Sequence, residues 1–391
     1  MRKGQLRNFV LAGVGIMLFI AVFALLYFTG ILPYWGMPAH EYAVPAEVRA
    51  GSAERGEYAD NSENNVGGHE ITGTSEEQTD FDSTGEDSAD YNALRIIVPK
   101  VSSRSTMELE DVYMNRQLRL TVGNSVCGAY KKNMILSDNY VVKDIHIKDI
   151  ISDGGEFVST VITLDLDGVY EYRLHEENAQ YIIELFDIHS VYDKVIVIDA
   201  GHGGGDTGCG TRDLQHYEKD ITLSVVKLLK EKLDATDIKV YYTRLADETV
   251  YLKPRVNIAN DVKADMFISI HCNYYDRYWV GGVNGAEALY SSRIKTLKSA
   301  NRRLAGLMLD NLTKTASIRK RSVINRKKEI FILKKSRVPA TIVEMAYLSD
   351  INDTKYMVNA KKRKKVVDGL YNGIVEAYKQ MYGKTVLESS E

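Results

Sequence analysis

Cysteine is scarce: the 391 residues hold Cys127, Cys209 and Cys272 only, at no repeating spacing. At most one disulfide could form, so a disulfide scaffold is excluded, and no CxxC pair is present to build a thiolate metal cage. No cysteine precedes Cys127, which excludes a lipid-modified cysteine near the N-terminus. EF-hand spacing is absent, and so is any repeat of 20 to 50 residues, which sets solenoids and propellers aside. At 45% hydrophobic and 26% charged residues the chain matches an ordinary globular composition. Wholesale disorder, collagen and a multi-pass membrane protein are therefore excluded, and the length predicts two to three units.

Charge is missing from one stretch and one-signed in the next. Residues 1 to 40 carry Arg2, Lys3 and Arg7 and no acid, whereas residues 41 to 94 set fourteen acids against Arg49 and Arg55. Between Arg7 and Glu41 no residue is charged, and Phe9 to Leu32 is apolar except for glycines and one threonine. A run of that length spans a hydrocarbon core of about 30 Å as a helix. It exceeds the apolar core of a cleavable signal peptide, typically about 7 to 15 residues. Positive charge on its N-terminal side alone predicts residues 1–8 in the cytoplasm, a transmembrane anchor over 9–32 and an exported remainder on the cell-wall side. Residues 38–93, rich in Glu, Asp, Ser, Gly and Thr, cannot bury enough apolar surface to offset their ordering entropy and read as an acidic, extended linker.

From Leu94 the pattern is strand-like. Leu94 to Val98, Arg116 to Val122, Ser159 to Asp167, Val169 to Leu174 and Tyr181 to Phe186 are short apolar or alternating runs separated by Asn, Asp and Gly clusters. They predict a small all-β domain over 94–193, in which His146, His175 and His189 are surface or strand residues without ligand spacing.

At Lys194 the character changes. Val195 to Ile198 is a continuous aliphatic strand, the signature of a sheet covered on both faces. An amphipathic helix follows over Glu218 to Leu233. Strands are expected at Lys239 to Thr243, Met266 to Ile270, Gly285 to Tyr290, Ile330 to Leu333 and Ala340 to Val343. Helices are expected at Leu252 to Asp261, Leu297 to Leu312 and Ala360 to Tyr382. This alternation predicts an α/β domain over 194–383 with a mostly parallel sheet between helical layers and a short tail over 384–391. In such sheets chemistry gathers at the carboxyl ends of the strands. His202, His271 and Glu344 each follow a strand, and Glu218 opens the first helix. Two imidazoles and a carboxylate form a common three-ligand set for catalytic zinc.

The strings VIVIDAGHGGGDTGCG, YEKD, YYTR, ANDVKADMFISIHCN and PATIVEMAYLSD occur in this order. Together they resemble the zinc-dependent N-acetylmuramoyl-L-alanine amidases, a cell-wall hydrolase family, over nearly all of residues 194 to 382. The resemblance implies a three-layer α/β/α domain that hydrolyses the amide joining N-acetylmuramic acid to L-Ala of the stem peptide. It also implies His202, Glu218 and His271 as Zn2+ ligands and Glu344 as the catalytic carboxylate. Asp199, Asn273 and Arg244 fall at motif positions as substrate-binding or supporting residues, with ion pairing the simpler role for Arg244 and for Arg255. Cys272 stands where the family commonly has Ala, Met345-Ala346-Tyr347 replaces a Thr-Gly-Phe-like stretch, and Asp350 replaces Asn. None of these removes an implied ligand. Cys209 and Cys272 flank the site as small buried residues, and His216 is an exposed loop histidine.

Peptidoglycan is the implied partner, with the membrane reached through the N-terminal helix. The basic runs at Arg319 to Arg321, Arg326 to Lys328, Lys334-Lys335 and Lys361 to Lys365 fit anionic wall polymers; export argues against nucleic acid. Two rival readings are a non-catalytic wall-binding homologue and another zinc peptidase such as a carboxypeptidase.

Overall fold

The structure is a computed structural model and describes residues 93–276, 282–326 and 330–388. The expected anchor, the N-terminal residues before it and all but the last residue of the acidic linker lie outside the described residues. No described helix is long and apolar enough to cross a membrane.

The alternating runs after Leu94 form eight strands: β1 (Leu94–Pro99), β2 (Thr106–Val112), β3 (Gln117–Gly123), β4 (Leu136–Ser137), β5 (Val142–Ile151), β6 (Phe157–Leu166), β7 (Glu171–Glu177) and β8 (Gln180–Phe186). They pair antiparallel into two four-stranded sheets, ordered β4-β1-β8-β7 and β2-β3-β6-β5. The inward residues of both sheets, among them Ile96, Ile183 and Leu185 from one and Leu120, Ile162 and Leu164 from the other, share one apolar core. The period of two in the sequence is the packing of one face of each sheet against the other. The strands β2 and β5, not among the expected runs, carry acidic and basic side chains at their exposed positions.

Beyond the helical turn Ile188–Val191 the chain enters the second sheet. Its elements are β9 (Val195–Ala200), α1 (Glu218–Leu233), β10 (Lys239–Tyr242), α2 (Leu252–Asp261), β11 (Met266–Asn273), β12 (Ala286–Tyr290), α3 (Lys298–Ala316), β13 (Lys320–Asn325), α4 (Phe331–Lys335), β14 (Ala340–Tyr347), α5 (Ile351–Val358) and α6 (Ala360–Ala377). Six strands lie in the order β10-β9-β11-β14-β12-β13. Every neighbouring pair is parallel except β12 with β14. The sheet is therefore mixed: reversal of β12 and β13 brings the start of β13 to the end of the sheet where β9, β11 and β14 finish.

Two expectations change. Ile330 to Leu333 is not a strand; the chain turns through the short helix α4, which buries Ile332 and Leu333. A run of four apolar residues fits either state, and packing beside α2 selects the helix. The strand in this region is instead β13, a polar segment at the sheet edge where charged residues are tolerated. The expected tail is partly bound, since Leu387 exchanges backbone hydrogen bonds with the Asp237 carboxylate and backbone, at 3.0 and 3.1 Å.

The two faces of this sheet are covered unequally. On one face α1, α3 and α6, of 16, 19 and 18 residues, bury Ile196, Ile198, Ile268, Ile270 and Val343. On the other, α2 and α4 have only 10 and 5 residues and cover Val197, Phe267, Leu289 and Ile342. The side chains next along these strands on that face, Asp199, His271, Glu287 and Glu344, lie beyond the last apolar layer. A cleft therefore opens at the carboxyl end of β11 and β14.

The double-sheet module docks beside this face. Tyr113 packs edge-on against Tyr241, ring centroids 5.1 Å apart, and donates its hydroxyl to the Tyr242 carbonyl at 2.7 Å. Arg116 bonds both oxygens of Asp261, at 2.8 and 2.7 Å. Because the arginine is partly exposed, Arg116→Ala should lower the unfolding free energy by about 1 kcal/mol in a urea titration. A loss below about 0.3 kcal/mol would assign the junction to apolar packing alone.

Candidate active site

Three segments far apart in sequence meet at the mouth of the cleft. β9 ends at Ala200, and the next two residues turn sharply, His202 adopting φ +62°. For a residue with a Cβ this left-handed conformation is costly and persists only where the surroundings enforce it. Glu218 is the first residue of α1, where the positive end of the helix dipole favours a carboxylate. His271 belongs to β11 and faces the same side as Glu344, its register partner on β14.

Glu218 is the hub. Its Oε1 accepts from the Cys272 backbone N–H at 2.9 Å and its Oε2 from that of Cys209 at 3.0 Å. The same two oxygens face His271 Nδ1 at 2.9 Å and His202 Nε2 at 3.1 Å. The two rings stand nearly perpendicular, 4.9 Å apart. Burial alone would raise the Glu218 pKa, yet hydrogen bonds from both histidines hold it well below the usual carboxylate range. Burial opposes charge on His271 too, but the bond to Glu218 wins and pushes its pKa up to about 9. His202 is raised for the same reason.

One donor atom each from His202, Glu218 and His271 lie within 4.8 Å of one another. The residues fit a zinc ion in chemistry as well as spacing. The other nitrogen of His202, Nδ1, bonds Asp206 Oδ2 at 2.9 Å, which leaves Nε2 directed at Glu218. Such an outer carboxylate fixes the ring and raises its basicity. Space is kept by glycine at two positions. A Cβ on Gly201 would lie 2.3 Å from the His271 ring, and one on Gly208, at φ +63°, 2.6 Å from Glu218 Oε2. A second trio, Asp144, His146 and Asp165, lies on the surface of the double-sheet module, where Asp144 pairs with Lys132 and Asp165 accepts from Gln117.

Beneath the histidines lies a buried polar layer. Asp199, 1% exposed, accepts from Arg255 at 2.7 Å, Thr243 at 2.6 Å and Ser269 at 2.5 Å. Burial would raise its pKa, but Arg255 foremost holds it below the ordinary value. Arg255 also donates to the carbonyls of Ala200 and His202 at 2.6 Å each. Arg244, 2% exposed, does the same for Ala200, Gly201 and Lys219. Arg244 and Asp199 have no surface to offer a substrate. The substrate-binding alternative for both is replaced by a positioning role: they clamp the backbone that carries His202.

Glu344 sits beside His271, its register partner on the neighbouring strand. Its Oε2 has neither solvent contact nor a hydrogen-bond partner. Burial, reinforced by Glu218 and Glu287 against the opposing histidines, pushes its pKa up to about 7. Glu287 is its register partner on β12 and bonds Arg321 of β13 at 2.6 Å. Asn273 donates to Glu287 at 3.4 Å and accepts from the Tyr274 backbone N–H at 2.8 Å, on the rim of the cleft. Cys209 directs its Sγ to the Cys272 carbonyl at 3.4 Å, Cys272 is buried, and His216 lies exposed in the loop before α1. Sequence reasoning assigned no role to Asp206 or Glu287 and placed Arg321 only in a basic run. For Asp206 the signal was present, an acid four residues after His202 in a glycine-rich loop.

Removing Asp199 leaves the Arg255 guanidinium buried without its counter-ion. Asp199→Ala should therefore cost about 3 to 5 kcal/mol, read as a drop in the chemical-denaturation midpoint. A change below about 1 kcal/mol would show that the layer is not a structural clamp.

A profile of the family described as N-acetylmuramoyl-L-alanine amidase matches residues 196–376. The N-acetylmuramoyl-L-alanine amidase LytC of Bacillus subtilis is 30% identical over 190 residues, 48% of this chain and 36% of LytC. The uncharacterized protein YqiI of the same organism is 30% identical over 187 residues, 48% of this chain and 86% of YqiI. The crystal structure of an N-acetylmuramoyl-L-alanine amidase from Clostridium difficile 630 covers 48% of this chain and 97% of its own, with 27% identity and a TM-score of 0.44. The chain thus spans about a third of LytC and most of YqiI. By its sequence, from the β9 strand through most of α6, it belongs to the N-acetylmuramoyl-L-alanine amidase family.

Proposed function

We propose that this protein is a zinc-dependent peptidoglycan amidase that cleaves the bond between N-acetylmuramic acid and L-Ala of the stem peptide. In this reading the 9–32 segment anchors it in the membrane, and residues 38–93 hold the catalytic part away on the cell-wall side. The observation that carries the proposal is one cleft holding a zinc-type donor trio, His202, Glu218 and His271, beside a desolvated carboxylate, Glu344. The similarity to LytC, an N-acetylmuramoyl-L-alanine amidase, supports the choice of bond.

Zinc, when held by these three residues, supplies Lewis acidity and a lowered pKa for water. The remaining work falls to the protein. Glu344 takes the proton from the attacking water on its carboxylate and returns it to the departing amine, because an amide anion cannot leave at neutral pH. Asp206 holds the His202 ring, and the N–H groups of Cys209 and Cys272 keep both oxygens of Glu218 in place. The exposed lysines of the Lys361 to Lys365 run extend the reading to anionic wall polymers as a second contact.

Digestion of purified peptidoglycan followed by mass analysis tests the bond. Stem peptides beginning at L-Ala, released from intact glycan, are expected; shortened peptides still attached to muramic acid would instead identify a peptidase. Glu344→Gln should reduce release by about a hundredfold to ten-thousandfold while zinc content is retained.

Zinc uptake should depend on pH. In the metal-free protein His271 stays protonated up to about pH 9, against an ordinary value of 6.5, and a ligand nitrogen must lose that proton. Affinity measured against a competing chelator should climb up to about tenfold per pH unit between 7 and 9, then level off. The stability that the His271–Glu218 pair gives the metal-free protein follows the opposite course. It is fully present below pH 6.5 and lost as pH rises through about 9. A pH-independent affinity would remove His271 from the ligand set.

A further inference from the structure

We propose that Arg321 binds a carboxylate on the peptide part of the substrate, so that the enzyme discriminates a free acid from its carboxamide near the scissile bond. The inference rests on the amidase reading above and adds the substrate class to it.

Four adjacent strands present one row of polar side chains on the thinly covered face of the sheet. His271 on β11 is in register with Glu344 on β14, and Glu344 with Glu287 on β12. On β13 the pairing shifts between Ala286 opposite Lys320 and Ala288 opposite Val323, which brings Arg321 alongside Glu287. Arg321 Nε then bonds Glu287 Oε1 at 2.6 Å. The row runs from the donor trio to a guanidinium and contains the catalytic carboxylate.

Arg321 is not exhausted by its structural contacts. A guanidinium has five N–H donors. One is taken by Glu287, and one reaches the Asn284 carbonyl at the long distance of 3.4 Å. The group lies over the Tyr347 ring, 5.3 Å from its centroid, which fixes its plane. Glu287 retains only 7% of its side-chain exposure, whereas Arg321 retains 28%. Among the described residues, further donors of this partly exposed guanidinium are left over, in the planar geometry that matches a carboxylate.

The chemistry of the substrate selects the ligand. Around the scissile amide the N-acetylated sugars are neutral, and the lactyl carboxyl is consumed in the amide itself. The anions left within reach belong to the peptide. β13 lies two strands from β14, about 10 Å at the usual strand spacing. A peptide advances at most about 3.5 Å per residue, so the carboxylate belongs to the second or third residue from the cleaved bond.

The test uses the full chain in detergent, loaded with zinc. Its substrates are two muramoyl-peptides that differ only in a free carboxylate or a carboxamide at that residue. The wild-type protein should cleave the acid with a kcat/KM about tenfold to a hundredfold higher, mostly through KM. Arg321→Gln should bring the ratio of kcat/KM values close to one. Arg321→Lys should restore part of the preference. The double variant Glu287→Gln with Arg321→Gln leaves no unpaired buried carboxylate and should lose the preference equally. Equal cleavage of both substrates by the wild type, or full discrimination retained by a folded Arg321→Gln, overturns the proposal and leaves the amidase reading standing. Cleavage of neither substrate by the zinc-loaded wild type would defeat that reading as well.

Discussion

The carboxylate of Glu218 is the constraint on which the rest of the site depends. Each of its oxygens is fixed by one backbone N–H, from Cys209 in the loop before α1 and from Cys272 at the end of β11. Each also faces one imidazole. A single side chain thereby ties together the loop after β9, the start of α1 and the end of β11. The carboxylate is buried and charged, so it is stable only while those partners stay where they are. The glycines at 201 and 208 follow from the same crowding, because there is no volume left for a side chain beside the His271 ring or the Glu218 oxygens.

A second layer keeps this hub in place without touching a substrate. Asp199 pairs with Arg255, and Arg255 and Arg244 together satisfy the carbonyls of Ala200, Gly201 and His202 in the interior. A chain turning through an unfavourable conformation at His202 needs such support, since its exposed carbonyls would otherwise be buried without partners. The unequal covering of the sheet does the rest. Long helices seal one face, and short α2 and α4 leave the upper part of the other open. Polar residues beyond the last apolar layer, Glu287 and Glu344 among them, therefore line a cleft instead of a core.

Much of this was legible beforehand because the local signals agree with the tertiary outcome. The aliphatic run before Asp199, the amphipathic helix from Glu218 and the strands leading to His271 and Glu344 each place a polar group at a strand or helix end. The ordered strings around them point to the amidase family. What failed were segments whose local pattern is ambiguous. Ile330 to Leu333 reads as a strand but folds into α4, and the polar β13 gives no strand signal although it closes the sheet edge. Arg321 was legible only as part of a basic run, because its pairing with Glu287 depends on the reversal of β12.

The sequence by itself determined most of the segment types, the charge regimes of the N-terminal quarter and which polar residues stand at the ends of the strands and at the start of α1. These depend on composition, periodicity and the order of motifs along the chain. The tertiary structure alone decided that His202, Glu218 and His271, up to 69 residues apart in number, bring their donor atoms within 4.8 Å. It also decided that Glu344 lies beside His271 with its Oε2 shielded from solvent, that Arg244 and Asp199 are buried beneath the site, and that Arg321 joins the row of Glu344. The physical reason is strand register: which side chains become neighbours across a sheet is set by pairing and direction, and no local pattern records either.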